Sequence, residues 1–440
     1  MGGAEDVFGD FAGEAARLGL APVDDPGRVL GRPVEAGGKI LSNRVCALPM
    51  EGWDADPSGA PTPLTEMRWE RYGASGAALV WGEAVAVSRS GRSHPEQLVL
   101  SEENLPGLEA LARKVREARA REFGEEALRG MLLGVQLAHG GRFARPGPAP
   151  VFHDPWLDAR TGLDSAVPLL TDGEIEGIVE EYVAAASRAA RAGFEFVDVK
   201  LCHGYLGHEI LCAKGRPGRY GGSLENRARF FFQVLEGIRR NVPGLAVTFR
   251  LSLFEPSWAP PGTKEASVPF GASPEDPWSP DLSEPLEFIR MAEKEGVTFF
   301  ASSLGTPYTT PHLVRPAVHP AQGDPEPPEP WTAGAARHLE AARAVKEALP
   351  GMALVTGGLS ALGRALPQAA AAAVEGGFTD LVGLGRGLLS CPDWPRRILE
   401  GGLPGPAETC VACSLCTSMA RRGKPAGCYC LDPKYQGLDR

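Results

Sequence analysis

The segment FVDVKLCHGYLGHEIL (196–211) begins as an apolar run and continues into a cluster of reactive side chains. Its first part, FVDVKL (196–201), predicts a short buried strand, because aromatic and β-branched residues are enriched in strands. Lys200, His203 and Tyr205 follow within six residues. A core strand that ends in an amine, an imidazole and a phenol indicates a fold in which functional side chains lie at the ends of strands.

Similar apolar runs recur along the chain. They are RVCALPM (44–50), ALVWGEAVAV (78–87), LLGVQLAH (132–139), AVTFRLS (246–252), VTFFASS (297–303), ALVTGGL (353–359) and LVGLGR (381–386). Helical patterns lie between them, near 65–74, 106–123, 171–193, 225–241, 285–295, 335–349, 361–376 and 388–399. Eight strands alternating with eight helices predict an α/β fold of the (β/α)8 TIM barrel class. A doubly wound open sheet is the alternative, and the even recurrence of eight units favours closure.

The regular pattern does not fill the whole chain. We expect residues 1–30 to be an N-terminal extension, 31–400 to be the barrel and 401–440 to be a short cysteine-rich segment. Two proline-rich inserts interrupt the barrel: the first insert is 255–284 and the second insert is 304–332. Loops this long are usually functional or mobile, and both follow strands.

Polar or glycine-rich residues follow most of the predicted strands. In a closed barrel such strand ends converge on one mouth, where active sites lie. Lys200, His203 and Tyr205 would meet there with Gln136 and Arg250, and the last two could contact a polar heterocycle. The alternative is that His203 and Tyr205 are ordinary loop residues with satisfied hydrogen bonds.

The last two strand ends predict a phosphate site. VTGGLS and GLGRG are tight turns that each open a helix, with Gly357 and Gly358 in the first and Gly385 in the second. Glycine lets the backbone approach a ligand closely and point N–H groups at an anion. Arg386 adds a guanidinium that can grip a phosphate with two hydrogen bonds. The loops after strands seven and eight are the usual phosphate site of such barrels.

Composition narrows the class of protein. The 440-residue chain has a formal net charge of −10, which argues against a nucleic-acid or anionic-membrane partner. It has no apolar run long enough to cross a bilayer and no export-like beginning, so we expect a cytoplasmic setting. In that setting cysteines are more often metal ligands or reactive thiols than disulfides.

Five of the nine cysteines fall in the cysteine-rich segment. Cys410, Cys413 and Cys416 have Cys-x2-Cys-x2-Cys spacing, and Cys428 follows after eleven residues. Three clustered cysteines and a remote one suit a [4Fe–4S] cluster better than zinc, whose sites more often show two Cys-x2-Cys pairs. Cys430 leaves the choice of the fourth ligand open, and a tail of free thiols is the other alternative.

Taken together, NRVCALPM, QLAHGGR, HGYLGHEIL, GRYGGSLENRARF, FRLS and GLGRGLLSCPDWP resemble the old yellow enzyme family of FMN-dependent NADH:flavin oxidoreductases. The motifs occur in the order of the family, from about Asn43 to Trp394. The resemblance implies a barrel that holds FMN at its mouth and uses NAD(P)H as co-substrate.

The resemblance also implies roles for individual residues. Pro49, Met50 and Ala84 would line the flavin with backbone contacts, and Gln136 would bond its pyrimidine edge. Arg250 would face the N1–C2=O locus, where a fixed cation stabilises the reduced ring. Tyr205 would protonate an alkene carbon, and His203 would bind the substrate carbonyl. The glycine turns and Arg386 would hold the phosphate.

Two positions depart from the family pattern. Lys200 stands where relatives have the first member of a His-x-x-His or His-x-x-Asn pair, and Glu51 stands where they have a short residue beside the flavin. Lys200 could bind a carboxylate of the substrate. Alternatively, it could pair with Glu51, Glu83 or Asp198, and pairing with Glu51 would account for both departures.

The cysteine-rich segment resembles the cluster-binding segment of longer family members, trimethylamine dehydrogenase and 2,4-dienoyl-CoA reductase. No second dinucleotide fingerprint follows Cys430, so we expect any cluster to exchange electrons with a separate protein or to serve structure only. The leading function is reduction of a small, possibly anionic, activated alkene. Its rivals are a flavin/iron–sulfur amine dehydrogenase or N-demethylase, an electron-transfer subunit, and a zinc-stabilised barrel without flavin.

Overall fold

The computed structural model describes residues 7–405 and 407–438. Eight parallel strands close into a barrel in which each strand pairs with its neighbour in chain order and the last pairs with the first. The predicted TIM barrel is therefore confirmed.

All eight barrel strands lie within the predicted apolar runs. A two-stranded antiparallel hairpin, β1 (Val34–Ala36) and β2 (Lys39–Leu41), precedes them. The barrel strands are β3 (Val45–Ala47), β4 (Leu79–Ala86), β5 (Leu132–Ala138), β6 (Phe196–Leu201), β7 (Ala246–Ser252), β8 (Phe299–Ser303), β9 (Ala353–Thr356) and β10 (Leu381–Leu384).

The helices surround the barrel or lie in its loops. They are α1 (Ala12–Leu18), α2 (Pro26–Leu30), α3 (Pro63–Ala74), α4 (Leu105–Phe123), α5 (Pro155–Thr161), α6 (Asp172–Arg191), α7 (Leu206–Cys212), α8 (Leu224–Asn241), α9 (Ser283–Lys294), α10 (Pro311–Val314), α11 (Trp331–Ala348), α12 (Leu366–Glu375), α13 (Arg386–Ser390), α14 (Trp394–Leu399), α15 (Leu415–Arg421) and α16 (Pro433–Gln436). Short 3-10 turns cover Gly9–Phe11, Glu125–Leu128, Gly141–Phe143 and Leu359–Ala365.

Two predicted helices are each divided in two. The pattern at 388–399 forms α13 and α14, because the proline after Cys391 disfavours helical geometry at that cysteine, which has φ −137°. The pattern at 361–376 begins as a 3-10 turn kinked at Gly363. Pro367 then stands in the first turn of α12, where its missing N–H costs little.

Aromatic side chains fill the inside of the barrel. Trp81, Phe196 and Phe299 meet edge to face, with ring centroids 5.2 to 5.6 Å apart. Ala36 and Leu41 of the β1–β2 hairpin belong to the same buried cluster. Side chains therefore fill the interior of the barrel at this level.

The segment before the barrel packs onto it. Phe8 and Phe11 are fully buried in the main hydrophobic core. Residues 1–6 of the expected extension, and residues 406, 439 and 440 of the cysteine-rich segment, lie outside the described residues. Among the described residues, no helix is long and apolar enough to cross a membrane.

Candidate active site

A cavity of about 330 Å³ opens at the carboxyl ends of the barrel strands, and we refer to it as the main cavity. This volume lies within the range of small-molecule sites. Most of the residues predicted from the sequence line it: Pro49, Met50, Glu51, Ala84, Gln136, Lys200, His203, Tyr205, Arg250, Gly358, Gly385 and Arg386. Gly357 does not line it, and a Cβ atom there would meet Leu48 at 3.0 Å. The barrel thus brings together residues from seven of its strands or their ends, β3 to β7, β9 and β10.

Asp198 organises the middle strands beneath the main cavity. It is fully buried on β6 and accepts hydrogen bonds from Trp81 Nε1 at 2.9 Å, from the Arg250 backbone N–H at 2.8 Å, and from Gln136. Burial raises the pKa of Asp198 to about 6. Since the Gln136 amide nitrogen donates to Asp198, its carbonyl oxygen is left without a donor among the described residues. Gln136 can therefore accept a hydrogen bond from a ligand N–H group.

Lys200 and Glu51 form a buried ion pair. The ammonium donates to Glu51 Oε1 at 2.6 Å, and the two side chains are 4% and 12% exposed. Burial alone would raise the pKa of Glu51, but the charge and hydrogen bond of Lys200 more than offset it, so this pKa is lowered. Of the readings that the sequence left open, pairing of Lys200 with Glu51 is therefore the one that the structure contains.

The other two acids considered for Lys200 have different partners. Glu83 accepts from Arg68 Nη2 at 2.9 Å, from Trp69 Nε1 at 2.7 Å and from the Gly52 N–H at 2.8 Å. Asp198 is held by Gln136, as described above. Their acceptor oxygens are already used, which leaves Glu51 as the partner of the lysine.

Tyr205 lies directly against this ion pair. Its hydroxyl has Glu51 Oε2 at 3.0 Å and Ser93 Oγ at 2.7 Å, and Lys200 Nζ is 3.5 Å from the centre of its ring. Burial and the negative charge of Glu51 raise the pKa of Tyr205 well above its usual value. The phenol is therefore held in its protonated form at the wall of the main cavity.

His203 is neutral and fixed. Its Nε2 is hydrogen-bonded to Ser303 Oγ at 2.9 Å, and its backbone N–H donates to Ser252 Oγ at 3.2 Å. Burial, with added repulsion from Arg250 and Lys200, holds the pKa of His203 well below its usual value. Its backbone has φ +64°, a left-handed conformation that is uncommon outside glycine and is enriched at functional sites.

The end of the main cavity near β9 and β10 is cationic. Arg386 donates through Nη2 to the Pro316 carbonyl at 2.6 Å, whereas its buried Nη1 has no partner among the described residues. Gly358 has φ +84°, and a Cβ there would come within 2.2 Å of the His338 ring, so only glycine fits. Arg315 and Arg421 line the same cavity.

Several residues of the main cavity did not emerge from the sequence. Trp53 and Tyr308 are aromatic walls, and Tyr308 stacks on Phe143 with ring centroids 3.7 Å apart. Arg315 comes from the second insert, and Arg421 from the cysteine-rich segment. None of them follows a strand directly, so the strand-end rule could not find them; the length and proline content of the second insert were the available signal.

All five cysteines of the C-terminal segment line a second, smaller cavity, which we call the cysteine cavity. Its members are Cys410, Cys413, Cys416, Cys428 and Cys430. The Sγ atoms of Cys413 and Cys430 are 3.3 Å apart. Among the described residues, no group of three or more His, Cys, Asp or Glu side chains is arranged to hold a single metal ion. Arg386, Leu389 and Cys416 line both cavities, so the two are adjacent.

Comparison with known proteins places this geometry in a family. The sequence model of the NADH:flavin oxidoreductase / NADH oxidase family matches residues 30–272, which is more than half of the chain. A Bacillus subtilis NADPH dehydrogenase is 30% identical over 220 residues, covering 48% of this chain and 60% of the relative.

Solved structures share the fold over most of this chain. A complex of 2-naphthoyl-CoA reductase with 2-naphthoyl-CoA has a TM-score of 0.71 at 21% identity and covers 93% of this chain and 58% of that one. Histamine dehydrogenase from Rhizobium sp. 4-9 has a TM-score of 0.69 at 21% identity, with 94% and 53% covered. This chain thus spans between 53% and 60% of the length of these three proteins. The family match, together with the barrel and the residues at its mouth, leads to one conclusion: the chain belongs to the NADH:flavin oxidoreductase / NADH oxidase family, whose members are FMN-dependent oxidoreductases.

Proposed function

We propose that this chain binds FMN in the main cavity and uses it to move a hydride from NAD(P)H to a small activated alkene. The observation that carries this proposal is Tyr205, a phenol kept protonated at the cavity wall beside neutral His203. A group that must deliver a proton has to be protonated in the resting enzyme, and both burial and Glu51 keep Tyr205 so.

The unpaired polar atoms of the main cavity fit FMN. The Gln136 carbonyl oxygen can accept from an imide N–H, and the buried Nε of Arg250 has no partner among the described residues. The unpaired Nη1 of Arg386 can donate to a phosphate oxygen. Pro49, Met50, Ala84 and Gly385 line the cavity beside these groups.

FMN, when bound, supplies hydride chemistry, and the protein supplies orientation and protons. His203, with Nε2 occupied by Ser303, can orient a substrate carbonyl only through an N–H at Nδ1. Tyr205 gives its hydroxyl proton to the substrate carbon. Lys200, over the ring of Tyr205, stabilises the phenolate that remains.

The Lys200–Glu51 ion pair favours a substrate without a negative charge at this end of the cavity. Lys200 already donates to Glu51, so a substrate carboxylate would have to compete with a buried partner at 2.6 Å. A neutral enone therefore fits this end of the cavity better than an anionic alkene. If Lys200→Met leaves the affinity for unsaturated carboxylates unchanged, recognition of a substrate carboxylate by Lys200 is excluded.

A second function is favoured by the cysteine cavity. We propose that Cys410, Cys413, Cys416 and either Cys428 or Cys430 hold a [4Fe–4S] cluster, because a cubane spreads its ligands over four iron atoms and requires no compact single-ion site. Cys416 borders the main cavity, so electrons would have a short route between the two centres. That arrangement suits an amine dehydrogenase or N-demethylase that passes electrons to a partner protein.

Two assays and one analysis separate these functions. The alkene-reductase proposal predicts that enones accelerate NAD(P)H oxidation while methylated amines do not reduce an artificial dye. Dye reduction by amines without enone turnover would instead favour the amine dehydrogenase or N-demethylase. Iron and sulfide measured in anaerobically purified protein test the cluster independently: about four of each are expected, and their absence together with bound zinc would exclude it.

A further inference from the structure

Two segments outside the regular barrel meet over the cationic end of the main cavity. These are the second insert (304–332) and the cysteine-rich segment (401–440). Backbone N–H groups of Val318 and His319 donate to the Ala412 carbonyl at 3.0 and 3.4 Å. The Gln322 N–H donates to Ser418 Oγ at 2.9 Å. The two segments therefore form one joined cover at this end.

One carboxylate, Asp324, forms ion pairs with two arginines of this cover, Arg315 and Arg421. Asp324 of the second insert accepts from Arg315 Nη2 at 2.7 Å and from Arg421 Nη2 at 2.5 Å. Arg421 also donates through Nη1 to the Gln322 carbonyl at 2.7 Å, which leaves its Nε without a partner among the described residues. Asp324 is only 9% exposed, so it holds both guanidinium groups in fixed positions beside the cavity.

The charges at this end do not cancel. Arg315, Arg386 and Arg421 contribute three positive charges and Asp324 contributes one negative charge, which leaves a net charge of about +2. Burial lowers the pKa of Arg315, and repulsion from Arg386 and Arg421 adds to this despite the attraction of Asp324. Because a phosphate monoester carries between −1.5 and −2 charges near neutral pH, it would neutralise the excess.

We propose that Arg421 of the cysteine-rich segment, with Arg315 and Arg386, binds the phosphate monoester of the flavin. Arg386 was expected from the glycine turns, whereas Arg315 and Arg421 are additional ligands supplied by the joined cover. This inference rests on the proposed function, because it takes FMN to be the occupant of the main cavity. Its consequence is that the cysteine-rich segment completes the flavin site as well as carrying the cysteines.

The test compares two ligands that differ only in the phosphate. Flavin is removed from the full-length protein, and FMN and riboflavin are titrated while the quenching of flavin fluorescence is followed. Arg421→Gln should weaken FMN binding on the order of tenfold, because a charge-assisted contact to the phosphate is lost, and should leave riboflavin binding unchanged. Arg422→Gln is the matched control, since Arg422 also bonds Gln322, at 2.9 Å, but does not line the cavity.

The outcomes distinguish the two claims. If the parent protein binds neither flavin, the proposed function fails. If the parent prefers FMN to riboflavin but Arg421→Gln keeps that preference in full, the inference about Arg421 is wrong while the proposed function stands. Equal loss of both flavins in Arg421→Gln would also overturn it, because that result indicates a structural role. Arg421→Lys keeps the positive charge but lacks the bidentate guanidinium, so it should retain part of the preference for FMN.

A second measurement does not depend on a substitution. Hydrogen exchange of the cysteine-rich segment is recorded in the stripped protein, with riboflavin and with FMN. FMN should slow exchange in residues 415–424 more than riboflavin does, because only FMN engages the arginines of the cover. Identical exchange with the two flavins would contradict the proposal.

Discussion

Glu51 is hydrogen-bonded to three side chains at the wall of the main cavity. It accepts from Lys200, from Tyr205 and, at 2.9 Å, from Trp53 Nε1. The sequence marks Glu51 and Lys200 as departures from the family, but it could not say that they pair. The choice among three acids depends on which of them already has partners, and Glu83 and Asp198 are occupied by residues distant in sequence.

Substitutions of Glu51 and Lys200 should have strongly non-additive effects on the free energy of unfolding. Glu51→Gln leaves the buried Lys200 ammonium without its counterion, which should cost about 3 kcal/mol in the free energy of unfolding. The double variant with Lys200→Met removes the stranded charge and should recover part of that loss. Urea unfolding of the parent, both single variants and the double variant measures this. Strictly additive losses would mean that the two residues do not interact.

Tyr205 should matter in one half of the catalytic cycle only. Tyr205→Phe keeps the ring and its contact with Lys200 but removes the transferable proton. Alkene reduction should slow by about 10² to 10⁴-fold, while reduction of the enzyme by NAD(P)H alone should change little. Rapid-mixing measurements of the two half-reactions separate these effects. An equal loss in both would show that Tyr205 supports the cavity and does not act as the acid.

At the scale of elements, the second insert is held partly by a buried acid. Glu255 accepts from Thr309 Oγ1 at 2.8 Å and Trp258 Nε1 at 3.1 Å, and forms no ion pair among the described residues. Burial raises the pKa of Glu255 to about 7 from 4.5. Between these two values the folded state binds the proton more tightly than the unfolded state. The contribution of Glu255 to stability is therefore complete below pH 4.5 and is lost as pH rises through 7.

Glu255→Gln should remove this pH dependence. Relative to the parent, the variant should be more stable at pH 8 than at pH 5 by about 3 kcal/mol. Urea unfolding at the two pH values measures the difference. Glu275→Gln, an exposed acid in the first insert, is the control and should show no such change. If the two variants behave alike, the pKa of Glu255 is not raised in the folded protein.

The turn after β9 needs glycine for two separable reasons. Gly358→Ala meets both a left-handed backbone and the His338 ring at 2.2 Å. Gly262→Ala is a matched control, since Gly262 has φ +83° and a Cβ placed there would have no atom within 4 Å. The control should lose about 1 kcal/mol, the usual cost of a side chain at such a φ, and Gly358→Ala should lose clearly more and bind FMN more weakly. Thermal unfolding and flavin titration check this, and equal losses would contradict it.

The barrel elements could be predicted because each depends on local pattern. The side chains of Thr171 and Ser223 accept the N-cap hydrogen bonds of α6 and α8, and every barrel strand lies within its predicted run. The β1–β2 hairpin escaped prediction because three-residue strands are too short to show a period. The cover over the cationic end escaped it as well, because the meeting of the second insert with the cysteine-rich segment is a tertiary contact with no local signal.

At the scale of the whole molecule, the resemblance to the old yellow enzyme family is confirmed, as is the barrel. The division into domains and the roles of individual site residues stay predictions. The cysteine-rich segment is packed against the barrel mouth: Ala426 N–H donates to the Gly52 carbonyl at 2.7 Å, and Asp432 pairs with Arg71. The main cavity and the cysteine cavity are therefore neighbours that share lining residues.

Whether the main cavity holds FMN is tested most directly by the flavin content of the purified protein. Protein purified without added flavin is denatured, and the released flavin is identified and counted against the chain. We expect about one FMN per chain, or binding of about one equivalent when FMN is added to stripped protein. Well-folded protein that is colourless and takes up no FMN would contradict this expectation.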